Sequence, residues 1–235
     1  MKIILLSSDT THHRYFINSL LDAGIELEKI VFETGKVKPK FKTGPLFESD
    51  EEKFEKNYFF KSTSYNLPNI EICKVKNINS EQVLEMLRRV KPDLGIVFGT
   101  GLIKKNVISS FKDGLINVHR GIAQKYRGLD SDLWAIYHQD YKSIGVTIHL
   151  VEEKLDTGAI IYQKEMKLIK NMKIFQIRYY TTLIATDLVK KTIADYSSGA
   201  LQPVPQEKIG RYYSFMPLDL KSIVTNRFNL YCKNI

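Results

Sequence analysis

The chain has 235 residues, 43% of them hydrophobic and 26% charged, which excludes a disordered or fibrous protein and permits one sizeable core. Lysine and arginine outnumber aspartate and glutamate 35 to 26, a net charge of +9 that favours an anionic partner, yet no run of five basic residues marks a nucleic-acid arm. Cys73 and Cys232 lack CxxC spacing, which excludes a disulfide framework or structural zinc site and points to a reducing cytoplasm.

The opening MKIILLSSD is too short for a signal peptide, and no stretch approaches a membrane span, so neither secretion nor stable membrane insertion is expected. KIILLSS predicts a strand. HHRYFINSLLDAG predicts a helix, with Tyr15, Phe16, Leu20 and Leu21 at helical spacing and Gly24 as its stop. LEKIVFET predicts a second strand. Residues 35–68 break this pattern and predict an exposed insertion, with a helix in the acidic ESDEEKFEKNYFF. Alternation then resumes: strand IEICKVK, helix SEQVLEMLRRVK with Ser80 as cap, strand PDLGIVFG, short helix LIKKNVISSF and strand GLINVH. SDLWAIYHQ predicts a helix. SIGVTIHLV and AIIYQKEMKL predict strands flanking a turn, and a long amphipathic helix from IFQIRYY is closed by Gly199. The expected class is α/β, a doubly wound and mostly parallel sheet over residues 1–199, with a short Pro- and aromatic-rich tail over 200–235.

In such sheets ligands sit beyond the carboxyl ends of the strands, which singles out the segments after Ser8, Phe98 and LINVH. Residues i and i+2 of a strand share a face, so Asn117 and His119 project together. An amide donor beside an imidazole suits acyl transfer; the same pair also suits an ordinary strand end. Asp156 lies in KLDTGAII, where Asp-Thr-Gly is common turn chemistry. Aspartic proteases use the same triplet but need two copies in a β-rich frame, and this α/β chain has one. As a third group, the carboxylate would orient His119. Arg120, Lys125 and Arg127 offer cations for a phosphate or carboxylate, or else a solvated loop. Thr11, His12 and His13 fall where a helix N-terminus favours an anion, with a structural cap as the competing account. Adjacent histidines diverge on a helix and make a poor metal pair. FGTGLI lacks the GxGxxG fingerprint, so a dinucleotide is disfavoured, while Gly99 and Gly101 allow close backbone approach to a flat ligand.

The combination GLINVHRGIAQKYRGLDSDLWAI…GVTIHLVEEKLDTGAII resembles the core signature of folate-dependent formyltransferases, a family that includes methionyl-tRNA, glycinamide ribonucleotide and nucleotide-sugar enzymes. The likeness is densest from Gly114 to Ile161. It implies a Rossmann-like fold, a triad of Asn117, His119 and Asp156, and 10-formyltetrahydrofolate as donor, without a metal. The pterin would be held around Phe98, Gly99, Thr100, Gly101, Leu102 and Ile103 and by the loop reaching Leu155. RGIAQ replaces the usual Ser-Leu-Leu-Pro after the histidine. YRGLDSDLWAI and RYYSFMPLDLK look like the short bacterial sugar N-formyltransferases, and the chain looks too short for the second domain of the tRNA enzymes. The implied partner is therefore a dTDP-linked amino-dideoxy sugar of the 4-amino-4,6-dideoxyglucose type, used in lipopolysaccharide O-antigen synthesis. Its contacts are expected from Thr11, His12, His13, Arg120, Lys125, Tyr126, Arg127 and Tyr213. Tyr212, Tyr213 and Phe215 are candidates to stack on its base, or to form a dimer contact or core edge. A homodimer is expected. Glycinamide ribonucleotide transformylase and a non-catalytic folate- or nucleotide-binding relative are the alternatives.

Overall fold

The computed structural model describes residues 1–35, 38–61 and 64–235, so Lys36, Val37, Ser62 and Thr63 of the expected insertion lie outside the described residues. The elements in chain order are β1 (Ile3–Ser7), α1 (Thr11–Asp22), β2 (Lys29–Glu33), α2 (Glu48–Phe59), β3 (Ile72–Val75), α3 (Glu81–Val90), β4 (Leu94–Phe98), α4 (Lys105–Ile108), β5 (Leu115–His119) and β6 (Tyr126–Gly128). They continue with α5 (Ser131–Tyr137), β7 (Gly145–Leu150), β8 (Ile160–Glu165), α6 (Ile177–Ser197), β9 (Arg211–Tyr213) and α7 (Leu218–Asn234). Seven strands form one sheet in the order β3-β2-β1-β4-β5-β7-β8. The first five are parallel, and β7 runs antiparallel to both β5 and β8. The class is the expected doubly wound α/β sheet. Its order reverses between β1 and β4, the switch point beside which ligands bind in such sheets.

All five residues of β1 are buried, as a central parallel strand covered on both faces requires. Ile3 and Leu5 enter one apolar layer with Phe16, Ile17 and Leu20 of α1 and Ala185, Val189 and Ile193 of α6. Ile4 and Leu6 enter the opposite layer with Val83, Leu84 and Leu87 of α3. Each such side chain contributes about 1.5–3 kcal/mol by leaving water. Ser80 occupies the N-cap of α3 without a cap bond from its hydroxyl. Its carbonyl instead accepts the amides of Val83 at 3.0 Å and Leu84 at 3.2 Å. Nor does α6 divide into an apolar and a polar face: Thr181, Thr182, Thr186 and Thr192 are buried, their hydroxyls turned back onto carbonyls one turn earlier.

Within the stretch read as an exposed insertion, α2 is packed rather than free. Phe59 stacks on Tyr15 of α1 with ring centres 4.2 Å apart, and Glu51 and Glu55 are buried. Arg178 of α6 donates to Glu55 through Nε at 2.6 Å and Nη2 at 2.9 Å, and Nη1 lies 2.6 Å from Glu51. Beyond Gly199 the chain builds more than a short tail. β9 pairs in parallel with β6, and α7 seats Val224, Phe228 and Cys232 in a third apolar cluster with Leu133 and Ile136 of α5. Among the described residues no helix is long and apolar enough to cross a membrane. Removing Arg178 strands two buried carboxylates, so Arg178→Met should cost about 3–5 kcal/mol in urea unfolding, whereas Glu52→Ala on the exposed face of α2 should cost under about 1 kcal/mol.

Candidate active site

The period-two geometry of β5 turns Ile116 and Val118 into the apolar layer under α1 and α6, and turns Asn117 and His119 to the other face. Because β7 pairs with β5 antiparallel, directly opposed residues share that face: His149 stands opposite Asn117, and Thr147 opposite His119. Asp156 arrives from the turn between β7 and β8. Three residues expected from the sequence and one unexpected, His149, therefore meet at the carboxyl edge of β5.

Asn117 Nδ2 donates to His149 Nε2 at 3.1 Å and to Asp156 Oδ1 at 3.3 Å, and the Gly128 N–H donates to Asp156 Oδ2 at 2.8 Å. His119 Nδ1 lies 3.5 Å from Asp156 Oδ2, and His149 Nε2 lies 3.4 Å from Oδ1. The remaining ring nitrogens face carbonyls: His119 Nε2 donates to Tyr126 at 2.8 Å and His149 Nδ1 to Leu150 at 2.7 Å. A carbonyl only accepts, so those nitrogens carry the protons. In the neutral rings His119 Nδ1 and His149 Nε2 hold lone pairs toward Asp156 and Asn117. His119, His149 and Asp156 are each at most 5% exposed. Burial alone would raise the Asp156 carboxyl, but the two imidazoles in their charged form, with a proton on each nitrogen that faces it, and the Gly128 N–H outweigh burial and hold the group well below the usual carboxylate range. Among the described residues no group of three or more His, Cys, Asp or Glu side chains is arranged to hold a metal ion.

These groups floor a cavity of about 300 Å³. All seven residues expected to hold the donor line it: Phe98, Gly99, Thr100, Gly101, Leu102, Ile103 and Leu155. The loop after β4 is pinned by Glu33, which accepts the Gly101 N–H at 2.7 Å and the Ile78 N–H at 2.8 Å. Gly99 has φ +78°, and a Cβ there would strike the His13 imidazole, so only glycine gives this wall. Arg120, Asp130, Ser131, Asp132 and Phe215 also line the cavity. The Ser131 hydroxyl is buried with no hydrogen-bond partner in the protein.

Other residues expected to touch substrate lie elsewhere. His12 and His13 are buried, both within hydrogen-bond distance of the Thr10 hydroxyl. Burial, reinforced by Arg120 and Arg178, pushes His13 down to about 3 and His12 also well below its ordinary value, so neither ring is a cation for a phosphate. Thr11 lines a separate recess near Asp9 and Arg178. Lys125 contacts Asp140 and Ser143, and the Tyr126 ring stacks on Tyr213, both facing a surface groove. Arg127 is committed to the Gly210 and Leu155 carbonyls, and Tyr212 is exposed. His149 could have been found in the sequence: Thr147 and His149 alternate with Val146 and Ile148, the same polar alternation that marks Asn117 and His119.

A carboxylate–imidazole–amide cluster beneath a cavity at the carboxyl end of a doubly wound sheet combines a hydrogen-bond donor and a base in the way acyl transfer requires. The family model described as formyl transferase matches residues 1–180, and the chain belongs to that family. Methionyl-tRNA formyltransferase of Finegoldia magna is 36% identical over 128 residues, which is 54% of this chain and 41% of that protein. The chain spans about half the length of further curated methionyl-tRNA formyltransferases it matches. A sugar N-formyltransferase of Shewanella superposes with a TM-score of 0.66 at 17% identity, covering 97% of this chain and 87% of that one. The formyltransferase PseJ of Anoxybacillus kamchatkensis, solved with UDP-4,6-dideoxy-4-formamido-L-AltNAc and tetrahydrofolate, superposes with a TM-score of 0.58 at 20% identity and covers 100% of both chains.

A depressed carboxyl adds stability above its unfolded value near 3.8, which is lost as pH falls toward the folded one. Urea unfolding below about pH 4 should therefore lose stability steeply, and Asp156→Asn should flatten that acid limb; an acid limb identical in the variant would contradict this.

Proposed function

We propose that the chain is an N-formyltransferase that moves a formyl group from 10-formyltetrahydrofolate to the amine of a nucleotide-linked amino-dideoxy sugar. The observation that carries the reading is the cluster of Asn117, His119, His149 and Asp156 directly beneath a cavity walled by the Phe98–Ile103 loop. The wall fits a flat heteroaromatic ring. Gly99 and Gly101 leave backbone bare on it, while Phe98, Leu102, Ile103 and Leu155 supply apolar surface. Bound there, the donor supplies an electrophilic formyl carbon.

The chain's own groups then divide the work. Asn117 Nδ2 offers an N–H to the carbonyl oxygen as negative charge grows on it, exchanging its 3.3 Å contact with Asp156 for a stronger acceptor. His119 Nδ1 takes the proton released by the attacking amine and passes it to the donor nitrogen whose bond to the formyl carbon breaks, and while the ring holds that proton the 3.5 Å contact to Asp156 is a charge-assisted pair. Asp156, already ionised, needs no reorganisation to stabilise that imidazolium. His149 fixes the Asn117 amide from the other side. Arg120, Asp130, Ser131 and Asp132 form the end of the cavity suited to a hydroxylated, charged acceptor, and Phe215 is the aromatic group of the tail that reaches it.

The likeness to sugar N-formyltransferases over nearly the whole chain supports an amino-sugar acceptor. We take dTDP-4-amino-4,6-dideoxyglucose in O-antigen synthesis as the specific form. The sequence likeness to methionyl-tRNA formyltransferases supports a second reading, with an aminoacyl-tRNA acceptor. Incubation with 10-formyltetrahydrofolate and a panel of dTDP- and UDP-amino sugars, glycinamide ribonucleotide and methionyl-tRNA, read by mass spectrometry, should show a mass gain of one formyl group on an amino sugar alone. Transfer only to methionyl-tRNA would establish the second reading instead. Asn117→Ala should lower kcat about 10²–10³-fold and His119→Ala about 10²–10⁴-fold, with donor affinity retained in equilibrium binding; near-normal turnover in either would sink the assignment.

A further inference from the structure

The turn that carries Asp156 is held by a part of the chain outside the 1–180 region that defines the family. Asp156 has φ +53°, a left-handed conformation that a residue with a side chain keeps only where its surroundings fix it. Gln206 Nε2 donates to the Asp156 carbonyl at 3.0 Å and to the Gly158 carbonyl at 2.9 Å. Gln206 Oε1 is buried without a partner, so one end of the amide forgoes hydrogen bonding while the other makes both bonds. Arg127 Nη1 donates to the Leu155 carbonyl at 2.8 Å and Nε to the Gly210 carbonyl at 2.6 Å.

Both ties run to the segment after α6. Gly210 directly precedes β9, and β9 is the one strand paired with β6 among the described residues. β6 in turn supplies the Tyr126 carbonyl that holds His119 and the Gly128 N–H that holds Asp156. Gly128 has φ +94°, and a Cβ there would collide with the Tyr213 carbonyl of β9, so the two strands meet too closely for any other residue. A displacement of the 206–213 segment would thus reach both His119 and Asp156.

We propose that Gln206 and Arg127 are positioning residues, which lock the Asp156 carboxylate against His119 and His149 by clamping its turn to the C-terminal segment. This rests on the reading of Asp156 as a working member of the site. In full-length protein, Gln206→Leu and Gln206→Glu each remove the donor at similar volume. Arg127→Lys keeps one donor but loses the fork. Asp156 is followed by carboxyl ¹³C NMR in a pH titration, its signal identified from Asp156→Asn, and melting temperature is recorded alongside.

Both Gln206 variants should move the Asp156 titration up toward the ordinary carboxylate range. With an acceptor that the parent formylates, kcat should fall about tenfold or more while the donor KM changes by less than about twofold. Arg127→Lys should fall between the parent and the Gln206 variants. An unmoved titration in two folded variants overturns the clamp, as does lost activity that follows melting temperature alone. Should the parent formylate no acceptor, the functional reading fails, and the titration still decides the clamp by itself.

Discussion

The charge on Asp156 sits where solvent hardly reaches, and a carboxylate so placed is stable only with partners on every side. Here the partners come from three separate stretches of chain: His119 and Asn117 from β5, His149 from β7, and the Gly128 N–H from β6. Each partner is fixed in turn by backbone, through the Tyr126 and Leu150 carbonyls for the two imidazoles. The constraint therefore propagates outward. A buried anion demands two oriented rings, the rings demand two carbonyls, and the carbonyls demand β6 and β7 in their present places. The same low-dielectric setting that makes the anion costly when unpaired makes it effective at stabilising a neighbouring imidazolium.

Strand register joins this site to the apolar core. On β5 the residues that alternate with Asn117 and His119 are Ile116 and Val118, and on β7 those that alternate with Thr147 and His149 are Val146 and Ile148. A slip of one residue in the pairing would drive the polar set into the layer under α1 and α6 and turn the aliphatic set toward the cavity. The core thus selects the register that assembles the site, and no separate specification is needed. The short α4 matters for the same reason: one helical turn after β4 leaves the polar ends of β5 and β7 facing a cavity instead of a helix.

Much of this was legible in the sequence because it is written in local periods. Buried parallel strands read as aliphatic runs, and Asn117 with His119 stood out because strands repeat every two residues. What could not be read was set by distant contacts. The strands β6 and β9 are three residues each and pair across 85 positions, as from Tyr126 to Arg211, with no internal period to betray them. Glu51 and Glu55 fall in a stretch expected to be an exposed insertion, and only the fold pairs both with Arg178 of α6, more than 120 residues away. The cations Lys125 and Arg127 have the right charge for a phosphate, and only the fold reveals that protein oxygens already occupy them. Helix α7 is a different case: Val224, Phe228 and Cys232 recur every four residues, a helical signal obscured by the proline-rich stretch before it.

The arrangement of charge explains how one basic chain can present both signs of potential to a ligand. Burial keeps His12 and His13 neutral, Arg178 is matched by Glu51 and Glu55, and Lys221 is matched by Glu48, so much of the charge near α1, α2 and α6 cancels internally. At the cavity, by contrast, Arg120 stands near Asp130 and Asp132, and Asp156 lies below. Burial raises the Asp130 carboxyl while the Met216 N–H opposes that rise. A ligand carrying only negative charge would gain from Arg120 and be repelled by the carboxylates. Net charge alone pointed to an anion; the local pattern sets Arg120 and Lys154 against Asp130, Asp132, Glu152 and Asp156 along one lining, so the cavity is not simply basic.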